Sequence, residues 1–142
     1  MPTSTRFAVA THILTALAVT DGKPLRSEDL ANSVNTGAVV IRGLLSRLAE
    51  AGLTRSQLGS GGGALLAKAP NEIRLLDVYR AVEDTELFAL HRQPPCAECP
   101  VGANILAAIN PALTSAQTAM EAELGRTTIA EIAGRVNAAA HV

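Results

Sequence analysis

The side chains best suited to chemistry in this 142-residue sequence are two cysteines, in the run Cys96-Ala-Glu-Cys99-Pro-Val-Gly. A C-x-x-C pair beside proline suits zinc and iron sites, and His91 upstream offers a third ligand. A structural zinc normally takes four ligands, and no further cysteine exists except on a second copy of the chain. The same pair can serve as a redox switch. Cys99 stands near the start of a long helical pattern, where the helix dipole favours a thiolate, lowers its pKa and raises its reactivity. The acidic neighbour Glu98 works against that effect. A third reading gives the two cysteines no chemical role.

A thiol-disulfide oxidoreductase would place such a pair at a helix start within a strand-helix-strand frame, and no such strand pattern precedes Cys96. The other stretch with chemical potential is Gly59-Ser60-Gly61-Gly62-Gly63. Glycines there let the backbone take positive φ and approach another surface closely. A phosphate-cradling loop would need a following Gly-Lys-Ser/Thr and an immediate helix, and neither is present. The glycines therefore read as the tip of a hairpin between strands at Leu53–Gln57 and Ala64–Ala67.

The helix ahead of this hairpin runs to about Ala51 and stops at Gly52, with Asn35 and Thr36 turning the chain and capping it. At 100° per residue, Val40, Ile41, Leu44, Leu45, Leu48 and Ala49 share the arc that must face a core. The opposite arc carries Val39, Arg42, Gly43, Ser46, Arg47 and Glu50, with Thr36 at its N-terminal end. An outward Arg beside an outward Val suits a major groove, where Arg reaches guanine and an aliphatic group meets a thymine methyl. A solvated face with a stray valine is the plainer alternative.

The elements that must position these groups follow from periodicity. Residues 5 to 20 read as a helix with Phe7, Ala10, Ile13, Leu14, Leu17 and Ala18 on one face. His12 and Thr15 lie off it, and a lone helical histidine reads as a surface or rim residue. Ser27 is the expected N-cap of a short helix over Glu28–Val34, and the brief turn after it gives a helix-turn-helix. Ile73 and Leu75 are extended, and Leu76, Tyr79 and Val82 share the face of a short helix. Leu87, Phe88 and Leu90 form a small apolar cluster. From Ala103 to Leu124, Ile105, Ile109, Leu113, Ala116, Met120 and Leu124 recur at helical spacing, with Asn110-Pro111 dividing the pattern. Its alanine-rich remainder reads as a helix that completes its burial against a second copy. Thr128-Ile-Ala-Glu131 is a capping box for a last helix to about Ala139.

Charge narrows the partners. Residues 1 to 70 hold seven Lys/Arg and four Asp/Glu (7 − 4 = +3), and residues 71 to 142 hold five and nine (5 − 9 = −4), so a polyanion prefers the N-terminal half. With no Trp, one Tyr and two Phe, stacking on single-stranded bases is disfavoured, whereas duplex contact through a helix needs no aromatics. No apolar run reaches the length of a membrane span, and Met-Pro-Thr-Ser-Thr-Arg lacks the order of a signal peptide. A cytoplasmic protein with reduced thiols is expected.

These features in this order resemble the Rrf2 family of bacterial winged-helix transcription regulators. The residues that carry the resemblance are Leu30-Ala31, Leu48-Ala49-Glu50-Ala51-Gly52-Leu53, Gly59 to Ala67, Ile73-Arg-Leu75-Leu-Asp77, Ala81-Val82-Glu83, Leu87-Phe88, His91 and Cys99-Pro-Val-Gly102-Ala-Asn104-Ile105. The implied fold is mainly α: a winged helix-turn-helix with a small β-hairpin wing and a long C-terminal dimerisation helix. Residues 1–84 would form the DNA-binding domain, and 85–142 the sensor loop and dimerisation helices. The resemblance implies a homodimer on a palindromic duplex operator, a repressor rather than an enzyme. Thr36, Val39 and Arg42 would contact bases or adjacent phosphates, with Gly43 and Ser46 on the same face. The wing around Ser60, Gly61 and Gly62 would enter the minor groove. Many relatives carry Arg where this chain has Leu58 and an aromatic where it has Ala64, so Arg55 or Lys68 would supply wing charge. The best-known members hold an iron-sulfur cluster on three cysteines; with only Cys96 and Cys99 this chain resembles the cluster-less branch, for which no cofactor is expected and zinc is the remaining metal option. Cys96, Cys99 and His91 are the candidate sensing residues. A thiol-disulfide oxidoreductase and a winged-helix module that binds protein are the competing functions.

Overall fold

The computed structural model describes residues 4–84 and 86–141. Helix α1 (Arg6–Val19) runs through the middle of the core, with Ala10, Ile13 and Leu14 fully shielded and Leu17 nearly so. Thr15 is buried too, against expectation. Its hydroxyl donates to the Thr11 carbonyl at 2.7 Å, so one turn of the helix satisfies it and burial costs little. Met1 to Thr3, part of the segment read for a signal peptide, lie outside the described residues.

Helices α2 (Ser27–Val34) and α3 (Ala38–Glu50) form the helix-turn-helix. Ser27 is not the cap of α2 but its first helical residue. The Arg26 N–H is instead taken by the Asp29 carboxylate at 3.1 Å. Asn35 closes α2 in the left-handed region (φ 65°), a conformation Asn tolerates better than most residues, and Asn35 and Thr36 N–H both donate to the Ala31 carbonyl. Gly37, not Asn35 or Thr36, occupies the N-cap position of α3. Ile41, Leu44 and Leu48 are its buried residues; Val40 and Ala49, expected inside, are exposed at the edges of that stripe.

Strands β1 (Thr54–Gln57) and β2 (Gly63–Leu66) pair antiparallel, with Thr54 opposite Leu66 and Gln57 opposite Gly63. The connector residue Leu25 adds a bridge to the hairpin, exchanging two backbone hydrogen bonds with Ala64 at 3.1 and 2.8 Å. That contact explains Gly63, because a Cβ there would press against the Leu25 backbone.

A 3₁₀ turn over Pro70–Glu72 leads to α4 (Leu75–Val82), where Leu76, Val78 and Val82 are buried and Tyr79 half-buried. Asp77 accepts the Arg74 N–H at 2.9 Å and faces its guanidinium at 3.1 Å. Burial pushes the Asp77 carboxyl up, but the Arg74 N–H and guanidinium, with Lys68 beyond, outweigh it and hold it below the ordinary carboxylate value. Helix α5 (Pro100–Leu124) is continuous through Pro111. The expected division fails because the carbonyl of Ala107, which loses its partner, sits at an exposed residue where water can replace the bond. Helix α6 (Ile129–Ala140) begins at Thr128, whose hydroxyl accepts the Glu131 N–H at 3.2 Å. It folds back on α1: Ile129 is fully buried in the same core, and hydrogen bonds of 2.9 and 2.8 Å pin its start to Leu75 and Ile73.

Candidate nucleic-acid interface and thiol segment

The helical repeat places Val39, Arg42, Gly43 and Ser46 along one exposed face of α3, with half-buried Thr36 before its start. Val39 is 74% exposed, a large apolar side chain with no packing role inside the chain. Gly43 faces open space, so no neighbour within the chain requires a glycine there, although Gly in a helix interior costs about 0.5–1 kcal/mol relative to Ala. Arg42 meets Glu28 of α2 at 3.8 Å, both side chains more than half exposed. Arg47, on the same outward arc of the wheel, turns back into the molecule. Its guanidinium donates to the Val82 carbonyl at 3.1 Å, where Arg6 Nε also donates at 2.7 Å.

The hairpin tip is exposed from Leu58 (91%) through Gly61. Gly59 and Gly61 have φ of 92° and 77°, in the left-handed region that favours glycine. Gly62 is fixed by contact instead, since a Cβ would run into the Gln57 carbonyl. Arg55 and Lys68 are both exposed and come together on a shallow cleft of about 180 Å³ beside the Asp21-Gly22 turn.

The two cysteines are free, exposed thiols ahead of α5. Cys99 is the residue from which α5 starts, with Pro100 in the first turn, where its missing N–H costs nothing. The backbone N–H groups of Gly102, then Val101, face the Cys99 sulfur and hold its pKa below the ordinary thiol value. Cys96 lies against the same turn, because a Cβ on Gly102 would run into the Cys96 carbonyl. His91 is exposed on the loop. Among the described residues no group of three or more His, Cys, Asp and Glu side chains gathers to hold a metal, so His91, Cys96 and Cys99 do not converge as ligands.

Leu87, Phe88 and Leu90 lie partly exposed, and Phe88 and Leu90 share a shallow cleft with Leu113 of α5. No residue of α5 is buried; Ile105, Ile109, Leu113, Met120 and Leu124 form a stripe that this chain covers only in part. No helix of the described residues is long and apolar enough to cross a membrane.

A helix-turn-helix followed by a glycine-tipped hairpin, on a helical body, is a winged-helix regulator fold. The family description "Rrf2: Iron-dependent Transcriptional regulator" matches residues 3–135, and the chain belongs to that family of transcriptional regulators. It is 42% identical over 130 residues to YwnA of Bacillus subtilis (strain 168), whose name describes an HTH-type transcriptional regulator; the match covers 91% of this chain and 95% of YwnA. A crystal structure described as a candidate DNA-binding protein shares 40% identity, with a TM-score of 0.72 over 89% of this chain and 97% of that one. CymR, the global cysteine regulator of B. subtilis, shares the fold at 24% identity and a TM-score of 0.63, over 95% and 98% of the two chains. The iron in the family description meets a poor donor set here. Two thiols without a gathered third ligand do not fit a four-ligand cluster within one chain.

Sequence reasoning missed the destinations of two arginines, the Arg42–Glu28 pair and the Arg47–Val82 bond. Each joins positions on different elements, and no local spacing announces such contacts.

Proposed function

We propose that this protein is a homodimeric, sequence-specific duplex-DNA-binding repressor of the cytoplasm. Residues 1–84, together with α6 folded back onto their core, act as the reading unit, and the loop after Glu83 with α5 supplies the sensor and dimerisation elements. The observation that carries the reading is the exposed α3 face. Val39 is outward without a packing role, Arg42 stands beside it, and Gly43 leaves room for close approach. Those are the group types that meet a thymine methyl, a guanine edge and the floor of a major groove. The wing at Ser60, Gly61 and Gly62 reaches an adjacent groove, with Arg55 and Lys68 meeting phosphates. The part-covered stripe on α5 supports pairing of two copies, which suits a two-fold operator. Competition binding between duplex from the chain's own upstream region and random duplex tests this. A preferred site whose affinity falls steeply with salt is expected; no preference over random duplex refutes it.

Thiol sensing is the control mode that Cys99 supports. Its thiolate attacks a hydroperoxide, giving a sulfenic acid while the peroxide's other oxygen leaves as alcohol or water after taking up a proton. The Cys96 thiol then attacks that sulfur and releases water, leaving a Cys96–Cys99 disulfide. No resident iron or zinc is part of this scheme. Peroxide treatment should change operator affinity in the native protein and not in Cys99→Ser; equal responses in both would remove the sensing role.

A further inference from the structure

Away from the α3 face and the cysteines, a cavity of about 670 Å³ opens where α1, α2 and α6 meet. That volume is in the range of small-molecule sites. Its walls are mostly apolar, with Val19, Leu25, Leu30, Ile132 and Val136 among them, and Val19 (41%) and Val136 (47%) remain exposed.

The polar groups in the walls are nearly all engaged. The carboxylate of Asp29 takes the Arg26 N–H and faces its guanidinium at 3.5 Å. His12 Nε2 bonds Ser33 Oγ at 2.8 Å, tying α1 to α2 across the cavity. The hydroxyls of Thr15 and Thr20 donate to carbonyls of their own helix at 2.7 and 3.0 Å. What is left is the Thr11 hydroxyl, shut from solvent and without a hydrogen-bond partner. A buried polar group in that state costs roughly 1–3 kcal/mol in general. Because that hydroxyl is closed off in its present χ1 well, bonding to a guest requires rotation to another staggered well.

We infer that this cavity binds a small, uncharged, mainly apolar organic molecule, such as an aromatic ring system carrying one hydroxyl, with the polar group at Thr11. The absence of charge follows from Asp29 being neutralised by Arg26. Because α2 supports the reading helix, occupancy of the cavity sets the spacing of α1 and α2. An effect of the guest on operator binding therefore rests on the proposed DNA reading, whereas binding of the guest itself does not.

The test uses the full-length protein without DNA. N-phenyl-1-naphthylamine serves as an environment-sensitive uncharged probe, excited at wavelengths where protein side chains do not absorb. Saturable emission at one probe per chain is expected, weakened by at least about tenfold in Val136→Trp and in Ala8→Trp, which fill the cavity from its walls. Circular dichroism melting confirms that each variant folds. In competition, 1-naphthol should displace the probe better than naphthalene does, and Thr11→Val should abolish that advantage. Unchanged binding in both Trp variants overturns the site, since the probe would then sit elsewhere, such as on the α5 stripe. Binding that appears only when α5 pairing is broken by Leu113→Asp overturns it as well, because a second copy would then be the occupant. An operator-binding failure with normal probe binding overturns the DNA reading alone.

Discussion

Replacing Arg42 by Ala separates a base-reading residue from a phosphate clamp. In the free protein Arg42 faces Glu28 at 3.8 Å, with side-chain exposures of 56% and 62%. Coulomb's law in bulk water gives about 1 kcal/mol for unit charges at that distance, and salt screening of so exposed a pair reduces it further. Moving Arg42 from Glu28 to a guanine edge therefore loses little, whereas a bidentate arginine–guanine contact supplies about 1–3 kcal/mol of discrimination. Arg42→Ala should lower the ratio of operator to random-duplex affinity by about 5- to 150-fold and leave folding stability within about 0.5 kcal/mol. The assay is fluorescence anisotropy with operator and scrambled duplexes across a salt series. A base contact leaves the salt slope unchanged. A phosphate contact would weaken both duplexes alike and flatten the slope by about 0.9. A ratio preserved to within about twofold refutes the assignment of Arg42 to base reading.

Three further outcomes follow from named contacts. The lowered Cys99 pKa means that its thiolate is favoured by the folded state. This preference is fully present above the ordinary thiol pKa and is lost as pH falls through the lowered value. Iodoacetamide should accordingly label Cys96→Ser, which keeps Cys99, faster near pH 7 than it labels Cys99→Ser; equal rates would contradict the helix-start activation. Gly62→Ala should distort the hairpin tip while leaving the helical core folded, because its Cβ meets the Gln57 carbonyl. Operator affinity falling with an unchanged circular dichroism melt is the expected signature. Leu113→Asp places a charge on the part-covered α5 stripe and should shift sedimentation from dimer to monomer; an unchanged dimer would place the pairing surface elsewhere.

The helices were legible wherever apolar spacing was regular, and the hairpin because only glycine suits Gly59 and Gly61 at positive φ. Caps were less legible. Ser27 has the right chemistry for an N-cap, yet Asp29 reaches back to Arg26 and moves the start of α2 by one residue. Asn110-Pro111 reads as a boundary because Asn can cap a helix and Pro suits its first position, but α5 runs through, since the bond that Pro111 removes falls on the helix surface, where water makes the loss tolerable. The exposed α3 face could be drawn from a wheel, whereas the turning-in of Arg47 could not. Its partner at Val82 belongs to a helix that begins well after the hairpin. The cavity is invisible in the sequence for the same reason: Thr11, Leu30 and Val136 come from distant stretches, and His12, exposed as its spacing predicts, takes its partner Ser33 from another helix.

The Val82 carbonyl is the last of α4, and it accepts from Arg6 of the first helix and Arg47 of the reading helix. Glu83, the next residue, accepts the Phe7 N–H at 3.1 Å and the Ser4 hydroxyl at 2.7 Å. The chain then leaves toward the cysteines from a knot that holds the orientation of α3. A change of length or stiffness between Glu83 and Cys99 is thus also a change at the contact that orients α3. Linker variants of this protein are accordingly to be scored for operator choice as well as for redox response.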